Sequence, residues 1–349
     1  MMGKLFSSLS CLLTPYKPHP YHVQWFLTGK CNYRCRTCQI WSQPQTRELT
    51  VEEVKRGIDI LHAMGVVDLV FTGGNPLLRG DIAEILKYAH PKFPLVTIYD
   101  NGSLASKKLD ILRHADRVCI SLHSLNPALQ NAIAGVPNAF REAMQSILLL
   151  KKKGLGVVVA VTVAGNNIHE VPALIEYFGE REIPVILALY SDLSSEDSLV
   201  KIGTPDPCSQ FHDGESLRKF FQSLRELKRR YPVHLDFKTL EALEAFFSEG
   251  RRNWQCQALS SFFMVNELGW VSGCHVMPPV CRLGELPSLW GSEKFAELRE
   301  NCKLCEKCLY LCYVAYSHIR RARNLAEYLW DYKRYMWERF LLTLSSEKG

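Results

Sequence analysis

Thirteen cysteines in 349 residues are the part of this sequence most able to do chemistry. Three lie together near the start, Cys31, Cys35 and Cys38, in a C-x3-C-x2-C run. Seven more fall in the last third: Cys256, Cys274, Cys281, Cys302, Cys305, Cys308 and Cys312. Cys11, Cys119 and Cys208 stand apart. A chain this long buries enough surface to fold without disulfide staples, and an odd number of cysteines does not suit a fully paired framework. Residues 1–14 carry Lys4 and a brief apolar stretch broken by Ser7, Ser8 and Ser10. That is a poor export signal and too short to span a bilayer. The expectation is a reducing, cytoplasmic setting in which clustered thiolates hold metal. Three thiolates on one loop can grip three irons of a [4Fe–4S] cube and leave the fourth without a protein ligand. Such an open position binds a reactant, on the logic of catalytic zinc sites. On spacing alone, a zinc site is the alternative.

These residues need a frame. Short β-rich runs near 23–27, 67–71, 95–99, 117–122, 157–163 and 184–190 alternate with helical patterns. The helices are expected near 81–88, 107–113, 139–153 and 168–178, and Thr50-Val-Glu-Glu53 reads as a capping box that opens the first. Apolar strands separated by amphipathic helices mean βα units and a parallel sheet. Six of them make an α/β fold, a partial (β/α)6 TIM-like barrel, whose chemistry sits at the C-terminal ends of the strands. The first cysteine run directly follows the first strand. Thr72-Gly73-Gly74-Asn75-Pro76 follows the second, Asp100-Asn101-Gly102 the third, and Ser121-Leu122-His123-Ser124 closes the fourth. Paired glycines let a backbone approach a neighbour closely. Residues 191–215, rich in Ser, Asp, Gly and Pro, read as a linker or irregular flap. Helices near 216–230 and 239–247 follow, then a hairpin of strands near 262–266 and 269–272 in a small cysteine-rich α+β extension.

At this spacing and in this order the chain resembles the radical S-adenosylmethionine (SAM) superfamily, whose signature is C-x3-C-x2-C after the first barrel strand. The resemblance covers residues 20–190. It implies that Cys31, Cys35 and Cys38 hold a [4Fe–4S] cluster with an open iron site, which binds SAM. It further implies that Gly73, Gly74, Asn75 and Pro76 stand where the family's G-G-E-P turn holds the methionine amine. Asn101 and Ser121 then belong to the cofactor-binding set, Ser121 toward ribose or carboxylate. Gly135 and Phe140 look like the family's R-G-x-x-x-x-F stretch. Three departures stand out. Asn75 replaces the usual Glu and loses its charge, His123 replaces the usual Asp, and Thr37 replaces the aromatic on which adenine often packs. The activity implied is reductive cleavage of SAM to a 5′-deoxyadenosyl radical that abstracts a hydrogen atom from an unidentified substrate: small molecule, cofactor, lipid or peptide. An oxygen-sensitive enzyme and an electron donor such as flavodoxin or ferredoxin follow from that.

The later cysteines extend the resemblance. Cys256 and Cys274 flank Gly269 as C-x12-G-x4-C, similar to the opening of the family's SPASM or twitch extension. Cys302-x2-Cys305-x2-Cys308-x3-Cys312 follows with a shorter middle gap than SPASM, and it also matches a bacterial ferredoxin run. The resemblance implies one or two auxiliary [4Fe–4S] clusters. Cys256, Cys274 and Cys312 can share one, Cys302, Cys305 and Cys308 can start another, and Cys281 is a spare ligand to either. A zinc ribbon is the alternative. The expected organisation is an N-terminal extension (1–20), a radical SAM core (21–215), a helical linker (216–255), the auxiliary domain (256–316) and a C-terminal amphipathic helix (317–349).

His123 and Cys208 are the candidate catalytic side chains, Cys208 as a thiol that quenches a radical, while Cys119 reads as core. The formal net charge of +6 is mild for this length, and no nucleic-acid partner is expected. The basic, aromatic C-terminal helix is the feature that could touch a membrane surface, though packing on its own domain or on a partner is the commoner use of such a helix. The competing reading from another class is a non-catalytic iron–sulfur electron carrier or zinc-stabilised binding protein.

Overall fold

The computed structural model describes residues 18–44, 47–211, 213–250, 252–307 and 310–318. Six parallel strands form the frame: β1 (His22–Thr28), β2 (Asp68–Gly73), β3 (Leu95–Asp100), β4 (Arg117–Ser121), β5 (Val157–Val163) and β6 (Val185–Leu189). They pair in sequence order, in register from His22↔Asp68 to Val163↔Leu189. The helices between them are α1 (Val51–Ala63), α2 (Ile82–Ala89), α3 (Leu109–Leu112), α4 (Pro127–Ala134), α5 (Ala139–Lys152) and α6 (Val171–Gly179). The capping box of α1 is formed: Thr50 and Glu53 each satisfy the other's backbone N–H.

Alternation along the strands sorts two layers. Trp25, Phe71, Ile98, Ile120, Val159 and Leu187 point outward and pack with the helices in the main core. Tyr99, Cys119, Val158, Ala160 and Ile186 form a separate group on the inner face. Cys119 is therefore core, as expected, but core of the lumen.

Two findings sharpen the boundaries. The segment from 216, expected as a linker, begins with α7 (Gly214–Arg230), whose Leu217, Phe220, Phe221 and Leu224 are buried in the main core. It is the helix of the sixth βα unit. α8 (Phe237–Glu249) packs beside it. The hairpin of the extension, β7 (Phe262–Val265) and β8 (Trp270–Ser272), is antiparallel as expected, yet β7 also pairs in parallel with β1. With β9 (Cys281–Arg282) the extension lengthens the barrel sheet instead of forming a detached layer. Helices α9 (Leu286–Leu289), α10 (Glu293–Lys303) and α11 (Leu311–His318) complete the described chain.

Helix α4 was not expected from the apolar pattern, although its punctuation is present. Asn126 caps it by accepting from Ala128 N at 2.9 Å, Pro127 occupies its first turn, and Gly135 ends it in the left-handed region. The expected amphipathic helix at the C-terminus lies outside the described residues beyond His318. No helix among the described residues is long and apolar enough to cross a membrane.

Candidate active site

The loop after β1 carries Cys31, Cys35 and Cys38, and the ends of the neighbouring strands hold it from several sides. Gly73 and Gly74, at the end of β2, lie directly beneath it. A Cβ on Gly73 would strike the carbonyl oxygen of Thr28, and one on Gly74 would strike that of Lys30. Gly74 N and Asn75 N donate to those same two carbonyls at 2.8 and 2.7 Å. The glycine pair therefore serves the approach of the cysteine loop itself. On the other side, α4 presents its terminal carbonyls, and Arg36 N and Arg34 N donate to Ile133 O and Ala134 O at 3.0 and 3.2 Å. Gly135 follows at φ +68, where a Cβ would strike the carbonyl of Arg34.

Residues 191–210 close over the third side. Gln39 N donates to Ile202 O at 3.0 Å, and Cys38 bridges Gly203. Arg36 pairs with Asp206 at 2.9 Å, and Asp206 also accepts from Ser209 at 2.6 Å. Cys208 stands exposed in this turn, beside Arg36.

The three thiols act on one another electrically. Burial, then the charges of Cys38 and Cys31, push the Cys35 thiol up to about 12. Burial, together with Cys31, takes Cys38 to about 11. Cys31 is raised by burial as well. Three sulfur donors on one loop, in a cradle whose glycines leave no room for a Cβ, suit a cluster that spreads its ligands over several irons. Among the described residues, no three His, Cys, Asp or Glu side chains converge as a single-ion site.

Asn75 is fully buried, and its side chain is committed internally. Its carbonyl accepts from Leu77 N at 3.0 Å, and its amide donates to Asp100 at 2.7 Å and reaches Asn101 and Asn32 at 3.2 and 3.3 Å. Burial raises Asp100, against the hydrogen bonds from Asn75, Gly102 and Ala105 that lower it. Asn101 accepts from Ser103 and donates to Asn32 at 2.9 Å, tying the end of β3 to the cysteine loop. Pro76 is buried in the turn after β2. Ser121, half-buried, ends β4 in line with Ala160 on the inner face. Two residues on, His123 accepts from Thr162 N through Nδ1 at 3.0 Å.

Asp206 and Trp41 were not singled out in the sequence, and Asp100 was named there only as part of the turn after β3. Trp41 donates to Cys35 O at 3.2 Å and lies 5.1 Å from the Arg34 guanidinium. The proximity of an aromatic to the cysteines was legible, since Trp41 lies three residues past Cys38.

The later cysteines gather separately. Cys274 and Cys302 are buried with Ala258, Phe262, Tyr310 and Tyr313, and Cys256 and Cys312 pack against the same group. Cys305 lies close enough to Cys302 to raise it, after burial, to about 11. Cys281 is not in this group: pairing of β9 with β8 sets it in the main core with Leu283 and Leu286. Cys308 lies outside the described residues. A buried path connects the two cysteine sets. Tyr313 Oη lies 3.0 Å from His275 Nδ1, His275 meets Phe26 edge-on at 5.6 Å, and Phe26 packs with Cys38.

At the opposite end of the barrel, Asp68 is fully buried between His22 (2.9 Å), Arg117 (3.2 Å) and Tyr316 of α11 (3.0 Å). Its carboxyl is held below the usual range by Arg117 and His22, against burial, which is the largest influence and raises it.

Residues 25–178 match the family model described as the Radical SAM superfamily. The chain is 24% identical over 316 residues to the AdoMet-dependent heme synthase of Nitratidesulfovibrio vulgaris, covering 82% of this chain and 83% of that one. It is 27% identical over 276 residues to the antilisterial bacteriocin subtilosin biosynthesis protein AlbA of Bacillus subtilis, covering 77% of this chain and 58% of AlbA. Its fold is similar to that of Streptococcus suis SuiB bound to S-adenosylmethionine, with a TM-score of 0.64 at 17% identity over 88% of this chain and 77% of SuiB.

Proposed function

The chain is an enzyme of the radical SAM superfamily, and from that premise we propose that it binds SAM beside Cys31, Cys35 and Cys38 and uses it to open a C–H bond of a substrate held at the mouth of the barrel. The observation that carries this is the cysteine loop itself, seated over Gly73, Gly74 and Gly135 at contacts that only glycine permits. A [4Fe–4S] cluster on these thiols would supply the electron that cleaves SAM to the 5′-deoxyadenosyl radical. The chain's own residues provide the rest. Residues 191–210 cover the loop and keep water from it. Asp206 and the α4 carbonyls fix Arg34 and Arg36, and with them the spacing of the three sulfurs. Ser121 and Asn101 face the site from the ends of β4 and β3.

The group formed by Cys256, Cys274, Cys302 and Cys312 supports at least one auxiliary [4Fe–4S] cluster, with Cys305 and Cys308 available for a second. The route through Tyr313, His275 and Phe26 favours exchange of electrons between the two regions. A low-potential donor such as flavodoxin or ferredoxin would reduce the first cluster. The relatives' names span a tetrapyrrole and a peptide product, so the substrate class stays at a molecule bearing an unactivated C–H.

Anaerobic reconstitution with iron and sulfide, then dithionite and SAM, tests the reading. 5′-Deoxyadenosine is expected from the wild type and not from Cys35→Ala. About eight irons per chain would indicate one auxiliary cluster and about twelve would indicate two. About four irons would refute the auxiliary site, and no 5′-deoxyadenosine would refute the activity.

A further inference from the structure

His123 is anchored on every side but one. Its N–H donates to Gln130 Oε1 at 2.8 Å, and its carbonyl accepts from Asn167 Nδ2 at 2.9 Å. Its ring Nδ1 accepts the N–H of Thr162 at 3.0 Å. β4 ends at Ser121 while β5 runs on to Val163. The imidazole therefore stands in for the carbonyl that a longer β4 would have offered to Thr162. A ring nitrogen that accepts from a backbone amide keeps its lone pair and carries no proton. In the neutral ring the proton must then sit on Nε2. Burial holds this histidine down to about 4, so the ring is uncharged at neutral pH. The side chain remains partly open, and among the described residues no hydrogen bond uses Nε2.

The anchors of His123 are also those of the cysteine loop. Gln130 lies on α4, whose last carbonyls hold Arg34 and Arg36. Asn167 belongs to the turn after β5, where Gly165 N donates to Ser209 O at 2.9 Å, and Ser209 leads through Asp206 to Arg36. Two separate chains of contacts thus fix the imidazole to the rim that carries the three thiols. On the same rim, Asn75 is buried with its amide given to Asp100, and Thr37 offers no ring.

We propose that His123, locked as the Nε2–H tautomer, donates a hydrogen bond to an oxygen of SAM, either its carboxylate or a ribose hydroxyl, bound beside Ser121. This rests on the reading of the site as SAM-binding. A neutral donor suits the task, because an imidazolium there would face the sulfonium of the same ligand.

Two variants separate the ring's two jobs. His123→Asn keeps an acceptor near the Nδ1 position for Thr162 and removes the Nε2 donor. His123→Gln keeps a donor near Nε2 and removes the Nδ1 acceptor. On the reconstituted full chain, equilibrium dialysis with SAM should show His123→Asn binding about three- to tenfold more weakly, with iron content and thermal midpoint unchanged. His123→Gln should bind SAM closer to wild type with a lowered midpoint. Histidine 15N spectra of the wild type should show the Nε2–H tautomer from pH 8 down to pH 5.5, with a shift of that resonance on addition of SAM. Full SAM affinity in His123→Asn overturns the proposal. So does an Nδ1–H tautomer, and so does a resonance indifferent to SAM, which would assign the donor to substrate instead. If His123→Asn loses iron, the wild-type spectrum with and without SAM decides. Wild-type protein that binds no SAM would instead refute the underlying function.

Discussion

At the residue scale, glycine and histidine do the positioning here. Gly135 is the clearest case, because its left-handed backbone and the Arg34 carbonyl beside it both exclude a side chain. Gly135→Ala is expected to cost at least about 1 kcal/mol of stability from the backbone alone. It should also displace the cysteine loop, so iron bound on reconstitution should fall while the far-UV circular dichroism spectrum stays unchanged. Histidine sets a pH dependence. His123 is held down to about 4 by burial, and His234 to about 3 by burial, Arg117 and Lys228. A histidine whose folded value is lowered contributes stability that is present above its unfolded value and lost as pH falls toward the folded one. Denaturant unfolding should therefore show stability dropping between about pH 6.5 and pH 4, with His123 accounting for up to about 3 kcal/mol. His123→Asn should flatten that slope. At this scale the sequence was most legible in its cysteines, whose spacing survives folding because all three sit on one loop. The neighbours of Asn75 were not legible: Asn32 lies on the loop after β1 and Asp100 and Asn101 at the end of β3, and no local pattern announces them.

At the element scale, α11 closes the N-terminal end of the barrel. Tyr316 stacks on His22 with ring centroids 4.0 Å apart, and it donates to Asp68 at 3.0 Å. Asp68 is the hub, and removing it would take a carboxylate partner from Arg117, whose side chain is only 14% exposed and which also donates to Thr97 at 3.1 Å. Asp68→Ala should cost about 3–5 kcal/mol in denaturant unfolding. Tyr316→Phe, which leaves the carboxylate with His22 and Arg117, should cost about 1 kcal/mol. The strands were legible because both of their faces are buried, which leaves near-continuous apolar runs of five to seven residues. Helix α4 was missed because its eight residues are too few for an apolar stripe to stand out, and its signal lies in its two ends. The helix of α7 was legible, while its packing into the main core was not, because the long irregular segment before it hides its connection to β6.

At the scale of the whole molecule, the catalytic frame and the cysteine-rich extension share one sheet. The hairpin was readable as two short strands separated by Glu267 and Leu268. That β7 would lie beside β1 was not, because parallel pairing between distant segments leaves no mark in either one. The buried link from Cys312 through Tyr313 and His275 to Phe26 follows from that pairing, since β7 and β1 carry the side chains around it.

The same pairing orders events during synthesis. β1 leaves the ribosome before the other strands of the sheet, and its partner on one side, β2, follows within about fifty residues. Its other neighbour, β7, emerges only after all of the barrel helices. Until residues 262–265 are free, the stretch from His22 to Trp25 that will meet them is an edge of the nascent sheet, with donors and acceptors but no strand beside it.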